Sequence, residues 1–252
     1  MSRWFLARVA YDGTHFSGYQ IQRRDRTVQG ELERALEALH GHPIKTAVAG
    51  RTDAGVHADG QYVSFESDHG GIPTENMAAA INSHLPGDVA VLSVRAVPSG
   101  FHARYNARSR HYRYYLLHAP VQMPHLRSIR WRVPQALDVS RVNRDAAAVV
   151  GEHDFTTFAA RRELGDSMVR RVLYASLERS GAEYTFSIGA DGFLWRMVRS
   201  IVGTVVEREL QRQRGTPPES TMTELLGQRD RRRAGTTAPA WGLFLHHVEY
   251  DL

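Results

Sequence analysis

The chain has 252 residues, of which 42% are hydrophobic and 23% are charged, as is ordinary for a globular protein with a sizeable core. It contains no cysteine, which excludes disulfides, thiol nucleophiles and thiolate metal sites, and no apolar run approaches the roughly 20 residues of a membrane helix. The net charge of +5 fits a polyanionic partner, but Lys45 is the only lysine, and a coding bias toward arginine explains the charge equally well.

The first residues predict no targeting segment. The apolar run Trp4-Phe5-Leu6-Ala7 is too short for the core of a signal peptide, and Arg8 interrupts it. We therefore expect a cytosolic protein without a membrane partner.

The first part of the chain has the periodicity of an α+β unit. A strand is predicted from Arg3 to Ala10, and a helix follows Thr27, which is a plausible N-cap. The apolar stripe of that helix consists of Val28, Leu32, Leu36 and Leu39. Strands over 44–49 and 61–65, a helix over 74–84 and a strand over 89–97 complete the order β-α-β-β-α-β, which is typical of a ferredoxin-like unit.

A similar order recurs later in the chain. It consists of a helix over 139–150, strands over 169–179 and 183–188, a helix over 194–206, a short helix opened by Thr216-Pro217-Pro218-Glu219, and a last strand over 243–250. Residues 229–233 are predicted to form a solvated loop. The periodicity predicts two related α+β halves, residues 1–105 and 106–252.

A glycine-framed loop lies between the second and third predicted strands. Its sequence is Gly50-Arg51-Thr52-Asp53-Ala54-Gly55-Val56-His57. Because glycine permits positive φ and close backbone approach, Asp53 is predicted to stand on a tightly shaped loop. The alternative is a hairpin-type connection that carries an exposed arginine–aspartate pair of little energetic value.

A second candidate stretch interleaves arginines with aromatic residues. It runs from Phe101 to Tyr115 and includes Arg110, Tyr112 and Tyr114, which share one face if this stretch is a strand. Aromatic rings beside guanidinium groups stack on single-stranded or flipped bases, at roughly 1–3 kcal/mol per base. An ordinary aromatic-rich strand with arginines reaching into solvent is the alternative.

The third candidate is Arg199, on the predicted helix over 194–206. Trp195, Val202 and Gly203 surround it at helical spacing, so its own face is apolar and small. A glycine inside a helix costs about 1 kcal/mol relative to alanine, which indicates that another segment approaches closely at Gly203. The alternative is an arginine that extends from a core helix into solvent.

The thirteen histidines do not form a recognisable metal motif. No HExxH pattern and no Cys/His cluster occurs, and His246-His247 alternate faces on a strand. Phosphate-loop and dinucleotide-binding fingerprints do not occur in the sequence either. We therefore predict no metal site and no bound cofactor.

The loop from Gly50 to His57, followed by Gln61, resembles the active-site signature of the tRNA pseudouridine synthase A family. The resemblance continues in the family's order through the run Tyr11-Asp12-Gly13 to Gln20, Leu85-Pro86-Gly87-Asp88, Phe101-His102-Ala103-Arg104, the run Arg110 to Tyr114, the run Gly151 to Phe155, Met197-Val198-Arg199 and Gly242-Leu243. It departs at Tyr19, where the family usually has tryptophan, and at Arg208-Glu209-Leu210, where the family usually has a glycine.

This resemblance implies a fold of two ferredoxin-like halves with a joined, mainly antiparallel sheet, helices packed on the sheet, and a central active-site cleft. It further implies a homodimer that isomerises uridines 38, 39 and 40 in the anticodon arm of tRNA. The reaction breaks the N1–C1′ bond of uridine and rejoins the base through C5, so it adds no atom and requires no cofactor.

The resemblance also implies the roles of the site residues. Asp53 is the essential carboxylate, and Arg199 pairs with it, which would keep a carboxylate ionised in a site shielded from water. Tyr112 packs against the target uracil, and Arg51 fills the space that an extruded uridine leaves. We also predict, from its place beside Tyr112, that Arg110 binds substrate. The alternatives are an RNA-binding module without catalysis and a pseudouridine synthase of different RNA specificity.

Overall fold

The computed structural model describes residues 2–68, 70–160 and 167–252. The chain divides into two compact units: unit 1 contains the residues up to Arg108 together with Phe244–Leu252, and unit 2 contains Ser109–Leu243. The strands are β1 (Arg3–Tyr11), β2 (Thr46–Val48), β3 (His57–Ser67), β4 (Val89–Val97), β5 (Ala107–His118), β6 (Trp131–Val133), β7 (Gly151–Asp154), β8 (Val169–Ser180), β9 (Glu183–Ala190) and β10 (Leu243–Tyr250). The helices are α1 (Val28–His40), α2 (Thr74–Asn82), α3 (Val139–Ala147), α4 (Met197–Gln213) and α5 (Met222–Gly227).

The sheet of unit 1 is built around β1 and β3. Strand β1 lies between β4 and β3 and is antiparallel to both. The other edge of β3 is shared, because β2 pairs with it antiparallel at Val63 whereas β10 pairs with it in parallel at His57. The predicted β-α-β-β-α-β order and the α+β class are confirmed, and the antiparallel order β4-β1-β3-β2 is that of a ferredoxin-like unit.

The two helices of unit 1 begin and end at identifiable local signals. Thr27 caps α1 as predicted, because its side chain accepts a hydrogen bond from the Gly30 N–H at 3.3 Å. In the predicted apolar stripe of α1, all side chains except the half-buried Leu39 are buried. Helix α2 ends at Asn82, slightly before the predicted end, where the Asn82 amide bonds to the N–H and the C=O of Val91 on β4 at 2.7 and 2.8 Å.

Unit 2 contributes a mainly antiparallel set of strands to the ten-stranded sheet. Their order is β5-β9-β8-β7, and the short strand β6 runs parallel to the end of β5. Helix α3 packs against β8 and α4. The helix and the two strands predicted over 139–188 are present with small shifts of their ends, whereas β6 and β7 are too short for hydrophobic periodicity to reveal.

The last two helices start later than the sequence predicts. Arg196 has a left-handed backbone with φ 59°, which a right-handed helix cannot include, so α4 begins at Met197. Trp195 is therefore exposed before the helix and does not share the face of Arg199. Helix α5 begins after Thr221, which forms a reciprocal capping box with Glu224, and not at the predicted prolines.

The loop predicted over 229–233 contains a short 3-10 turn at Arg231–Arg233. Within residues 2–68, 70–160 and 167–252, none of the helices combines the length and the apolar character that crossing a membrane would require.

Candidate active site

Asp53 lies on a tight turn between β2 and β3 in unit 1. The Val56 N–H donates a hydrogen bond to the Asp53 carbonyl at 3.1 Å, and Gly55 adopts the left-handed region with φ 76°. The turn leaves Asp53 half-buried and Arg51 exposed. A tightly shaped loop is therefore present, as the glycine spacing predicts. Gly50, however, has neither positive φ nor a close neighbour at its Cβ position, so the glycine requirement at that end of the loop is wrong.

The close backbone approach is made by two glycines of the β1–α1 connection. A Cβ at Gly13 would lie 2.1 Å from the Val56 carbonyl oxygen, and a Cβ at Gly18 would lie 3.0 Å from that of Thr52. The Tyr19 N–H donates to the same Thr52 oxygen at 3.0 Å. The connection between β1 and α1 thus packs directly against the Asp53 loop. Sequence reasoning missed Gly13 and Gly18, although both lie within the first family motif.

Buried side chains hold the Asp53 loop through hydrogen bonds. The Tyr11 and Thr52 hydroxyls are 2.8 Å apart, and the Gln61 amide Nε2 donates to Tyr11 at 3.3 Å and to the Gly50 carbonyl at 2.7 Å. The side chains of Tyr11, Thr52 and Gln61 are all buried. Burial raises the pKa of the Tyr11 phenol to about 12, against the opposing effect of its two hydrogen bonds.

Arg110 and Tyr112 lie on β5 in unit 2, where the sequence predicts a strand. The Tyr112 ring is buried and packs edge-on against Phe193, with a centroid distance of 5.2 Å. The Arg110 Nη1 donates to the Asp191 carbonyl at 2.8 Å. Both contacts are made by the connection between β9 and α4, which therefore fixes the orientation of the two side chains.

Tyr114, which lies two residues further along β5, explains why the last family motif has a glycine at position 242. Its hydroxyl donates to the Pro239 carbonyl at 2.8 Å, and a Cβ at Gly242 would lie 2.6 Å from its ring. Burial raises the pKa of Tyr114 well above its usual range, and the nearby Arg199 guanidinium partly offsets this. Only glycine leaves room for this ring at position 242.

Arg199 is held by the segment 235–239, which we call the strap. Its Nε donates to the Ala238 carbonyl at 2.8 Å, and the Ala238 N–H donates to the Arg199 carbonyl at 3.0 Å. A Cβ at Gly203 would lie 1.7 Å from the Thr236 carbonyl oxygen. The close approach predicted at Gly203 is therefore confirmed, and the approaching segment is the strap.

The sequence-predicted site residues thus fall into two groups. Asp53 and Arg51 share one loop of unit 1, whereas Arg110, Tyr112 and Arg199 belong to unit 2. The pairing of Asp53 with Arg199 stays a prediction, since the two residues are in different units. Among the residues that the structure describes, no group of three or more histidine or acidic side chains is arranged to hold a metal ion.

The residues that depart from the family pattern make their contacts within their own unit. Tyr19 is 1% exposed, and its ring packs near that of Tyr11. Glu209 is fully buried, where it accepts hydrogen bonds from the Asp138 N–H and the Gln213 amide, and the neighbouring Arg208 binds the Asp145 carboxylate at 3.0 Å. Arg208 and Glu209 pack α3 and α4 together, and both are buried, as Tyr19 is in unit 1.

Comparison with known proteins agrees with the motifs. The family model described as tRNA pseudouridine synthase matches residues 7–106 and 146–251, which include Asp53 and Arg199 but not Arg110 or Tyr112. A tRNA pseudouridine synthase A of Halalkalibacterium halodurans is 43% identical over 94% of this chain and 88% of its own length. The proteins of that name from Anoxybacillus flavithermus and Shouchella clausii are 42% and 40% identical, over 96% and 99% of this chain and 97% and 94% of their own lengths.

The family model covers more than half of the chain, and these relatives align with it almost from end to end. The Asp53 loop, its supporting residues and the last glycine motif all lie within the aligned regions. We conclude that the chain belongs to the tRNA pseudouridine synthase family, which is a family of isomerases.

Proposed function

We propose that this protein converts uridine to pseudouridine at positions 38, 39 and 40 in the anticodon arm of tRNA, with Asp53 as the essential carboxylate. It acts in the cytosol as a homodimer, and each tRNA contacts both subunits. The observation that carries the proposal is the construction of the Asp53 loop. The half-buried Asp53 carboxylate stands on a turn that is held by the close approach of Gly13 and Gly18 and by the hydrogen bond between Tyr11 and Thr52. A surface ion pair would not need such support.

The reaction sets modest chemical demands. The N1–C1′ bond of uridine breaks, the base turns, and a C5–C1′ bond forms, while C5 loses a proton and N1 gains one. Atoms and electrons balance within the substrate, so no oxidant, reductant or activated water is needed. Glycosidases need a second carboxylate because they must activate water, whereas an isomerase that retains its leaving group needs only one. An ionised carboxylate can attack C1′ or remove a proton from the sugar.

The residues of unit 2 supply binding and charge. Tyr112 is fixed edge-on against Phe193, and a ring of fixed orientation can stack on an extruded uracil without losing further side-chain entropy. Arg110 and Arg199 are each anchored to a backbone carbonyl, which directs their guanidinium groups. In our proposal Arg199 pairs with Asp53, and Arg110 contacts the substrate.

Replacement of Asp53 tests the proposal. Purified wild-type protein and the Asp53→Asn variant are incubated with unmodified tRNA without added metal or cofactor, and pseudouridines are mapped along the product. We expect wild-type protein to modify positions in the anticodon arm, and Asp53→Asn to form no product while binding tRNA within a few-fold of wild type. Asp59→Asn, which changes a half-buried carboxylate on β3, is the matched control and should remain active.

Three results would contradict parts of the proposal. Substantial turnover by Asp53→Asn would remove Asp53 from catalysis. Pseudouridine confined to another region of the tRNA would contradict the anticodon-arm specificity. Tight binding of tRNA by wild-type protein without any product would favour a non-catalytic RNA-binding module.

A further inference from the structure

We infer that Tyr11 and Thr52 are positioning residues for Asp53, which they serve through the buried hydrogen-bond chain Gln61–Tyr11–Thr52. The chain connects the end of β1, the Asp53 loop and β3 within unit 1. This inference rests on the catalytic role proposed above for Asp53.

The donor in the first link of the chain follows from the orientation of the Gln61 amide. Its Nε2 donates to the Gly50 carbonyl at 2.7 Å, and its Oε1 accepts from the Tyr62 N–H at 3.1 Å, so a flipped amide would place oxygen against oxygen. The second Nε2 hydrogen is therefore available to Tyr11, 3.3 Å away. The Tyr11 oxygen thus accepts from Gln61, and its hydroxyl lies 2.8 Å from the Thr52 hydroxyl, a pair in which either oxygen can donate.

The chain is shielded from water. Tyr11 is 5% exposed, Thr52 is 8% exposed and Gln61 is fully buried. Because burial raises the pKa of Tyr11 to about 12, the phenol stays protonated throughout the neutral range. Loss of one member would leave buried donors and acceptors without partners, and the loop would have to move to satisfy them.

The chain reaches Asp53 through the backbone. Thr52 is held at its side chain by Tyr11 and at its carbonyl by the Tyr19 N–H, and the Asp53 carbonyl accepts from the Val56 N–H. The peptide groups before and after Asp53 are thus both fixed. A misplacement of about 1 Å in a reacting group costs up to roughly 100-fold in rate, so small loop movements should be visible in catalysis.

Single-turnover kinetics with excess enzyme separate positioning from stability, because the rate constant at saturation does not depend on the active fraction. We expect Thr52→Val and Tyr11→Phe each to lower this rate constant by roughly 10- to 100-fold, with tRNA affinity within about three-fold of wild type. Thr52→Ser keeps the hydroxyl and should restore most of the rate. The double variant Tyr11→Phe/Thr52→Val should lose no more than the worse single variant, since both changes interrupt one chain.

Tyr184→Phe is the matched control for a buried tyrosine. Its hydroxyl accepts from the Leu137 N–H at 3.1 Å in unit 2, remote in sequence from the Asp53 loop, and the variant should keep the wild-type rate constant even if it unfolds more easily. Wild-type rates in Thr52→Val and Tyr11→Phe, or losses that multiply in the double variant, would overturn the inference. If Asp53→Asn is inactive in the same assay while those two variants are unaffected, only this inference fails. An active Asp53→Asn overturns the proposed function and this inference together.

Discussion

Replacement of Gly203 by alanine tests how the strap holds Arg199. Gly203 lies within α4, and its missing side chain leaves room for the Thr236 carbonyl, which would lie 1.7 Å from an added Cβ. Real Cβ atoms essentially never come closer than 3.0 Å to such an atom, so the strap has to retreat by more than an ångström. The obstacle is backbone, so a rotamer change cannot relieve it.

The magnitude follows from two opposing contributions. Alanine gains about 1 kcal/mol of helix propensity over glycine. Against this stand the strap hydrogen bonds, namely those between Arg199 and Ala238 at 2.8 and 3.0 Å, from Gly235 N–H to Thr204 at 3.0 Å, and from Thr236 N–H to Glu207 at 2.8 Å. At about 1 kcal/mol each, the loss of two to four of them costs about 2–4 kcal/mol. We therefore expect Gly203→Ala to lower the free energy of unfolding by about 1–3 kcal/mol.

Urea unfolding measures the change in stability, and amide hydrogen exchange at Ala238 measures the strap directly, because this N–H donates to the Arg199 carbonyl. Gly227→Ala is the matched control: Gly227 ends α5 and has no heavy atom within 4 Å of its Cβ position, so this variant should be no less stable than wild type. If Gly203→Ala is as stable as the control and Ala238 remains protected, the packing argument is refuted.

Three further predictions concern charged residues. Arg199→Leu should reduce single-turnover activity severely and lower the urea midpoint, since both the proposed partner of Asp53 and an anchored guanidinium are lost; full activity would contradict the pairing. Arg51→Ala should lose more activity on a paired stem uridine than on a loop uridine of the same tRNA, because flipping a paired base costs a few kcal/mol; equal losses with a salt slope shallower by about one unit would indicate a phosphate contact instead. Asp88→Asn should lower the free energy of unfolding at pH 7 by about 0.5–1 kcal/mol, because two hydrogen bonds from the partly exposed Arg26, at 2.6 and 2.8 Å, hold the pKa of Asp88 below its usual 3.8. That stabilisation is complete above the usual pKa and is lost as the pH falls through the lowered one, so urea midpoints of the two proteins should converge in acid, and a constant difference would refute the assignment.

Local signals in the sequence determine much of the secondary structure. The N-cap at Thr27 and the apolar stripe of α1 involve residues only a few positions apart, so both can be predicted without knowledge of the fold. The close approach at Gly203 can also be predicted, because a glycine inside a helix costs stability that close packing can offset. The start of α4 could not be predicted, because the residue with left-handed backbone before it is an arginine and not the glycine or asparagine usual in that conformation.

The Asp53 loop depends partly on local sequence and partly on the tertiary structure. Its identity as a candidate site follows from a contiguous string of residues, and the left-handed Gly55 is part of that string. Its support does not follow from that string, because Tyr11, Gly18 and Gln61 lie on other elements and only the folded backbone brings them to the loop.

The assignment of the last strand was decided by the tertiary structure alone. Residues 244–252 follow unit 2 in the chain, yet they belong to unit 1, because β10 pairs in parallel with the start of β3 where β2 leaves that edge uncovered. Backbone N–H and C=O groups on a sheet edge can be satisfied by any strand that reaches them, however distant in sequence. The sequence alone determined that a strand forms at the end of the chain, whereas its tertiary pairing with β3 decided that this strand belongs to unit 1.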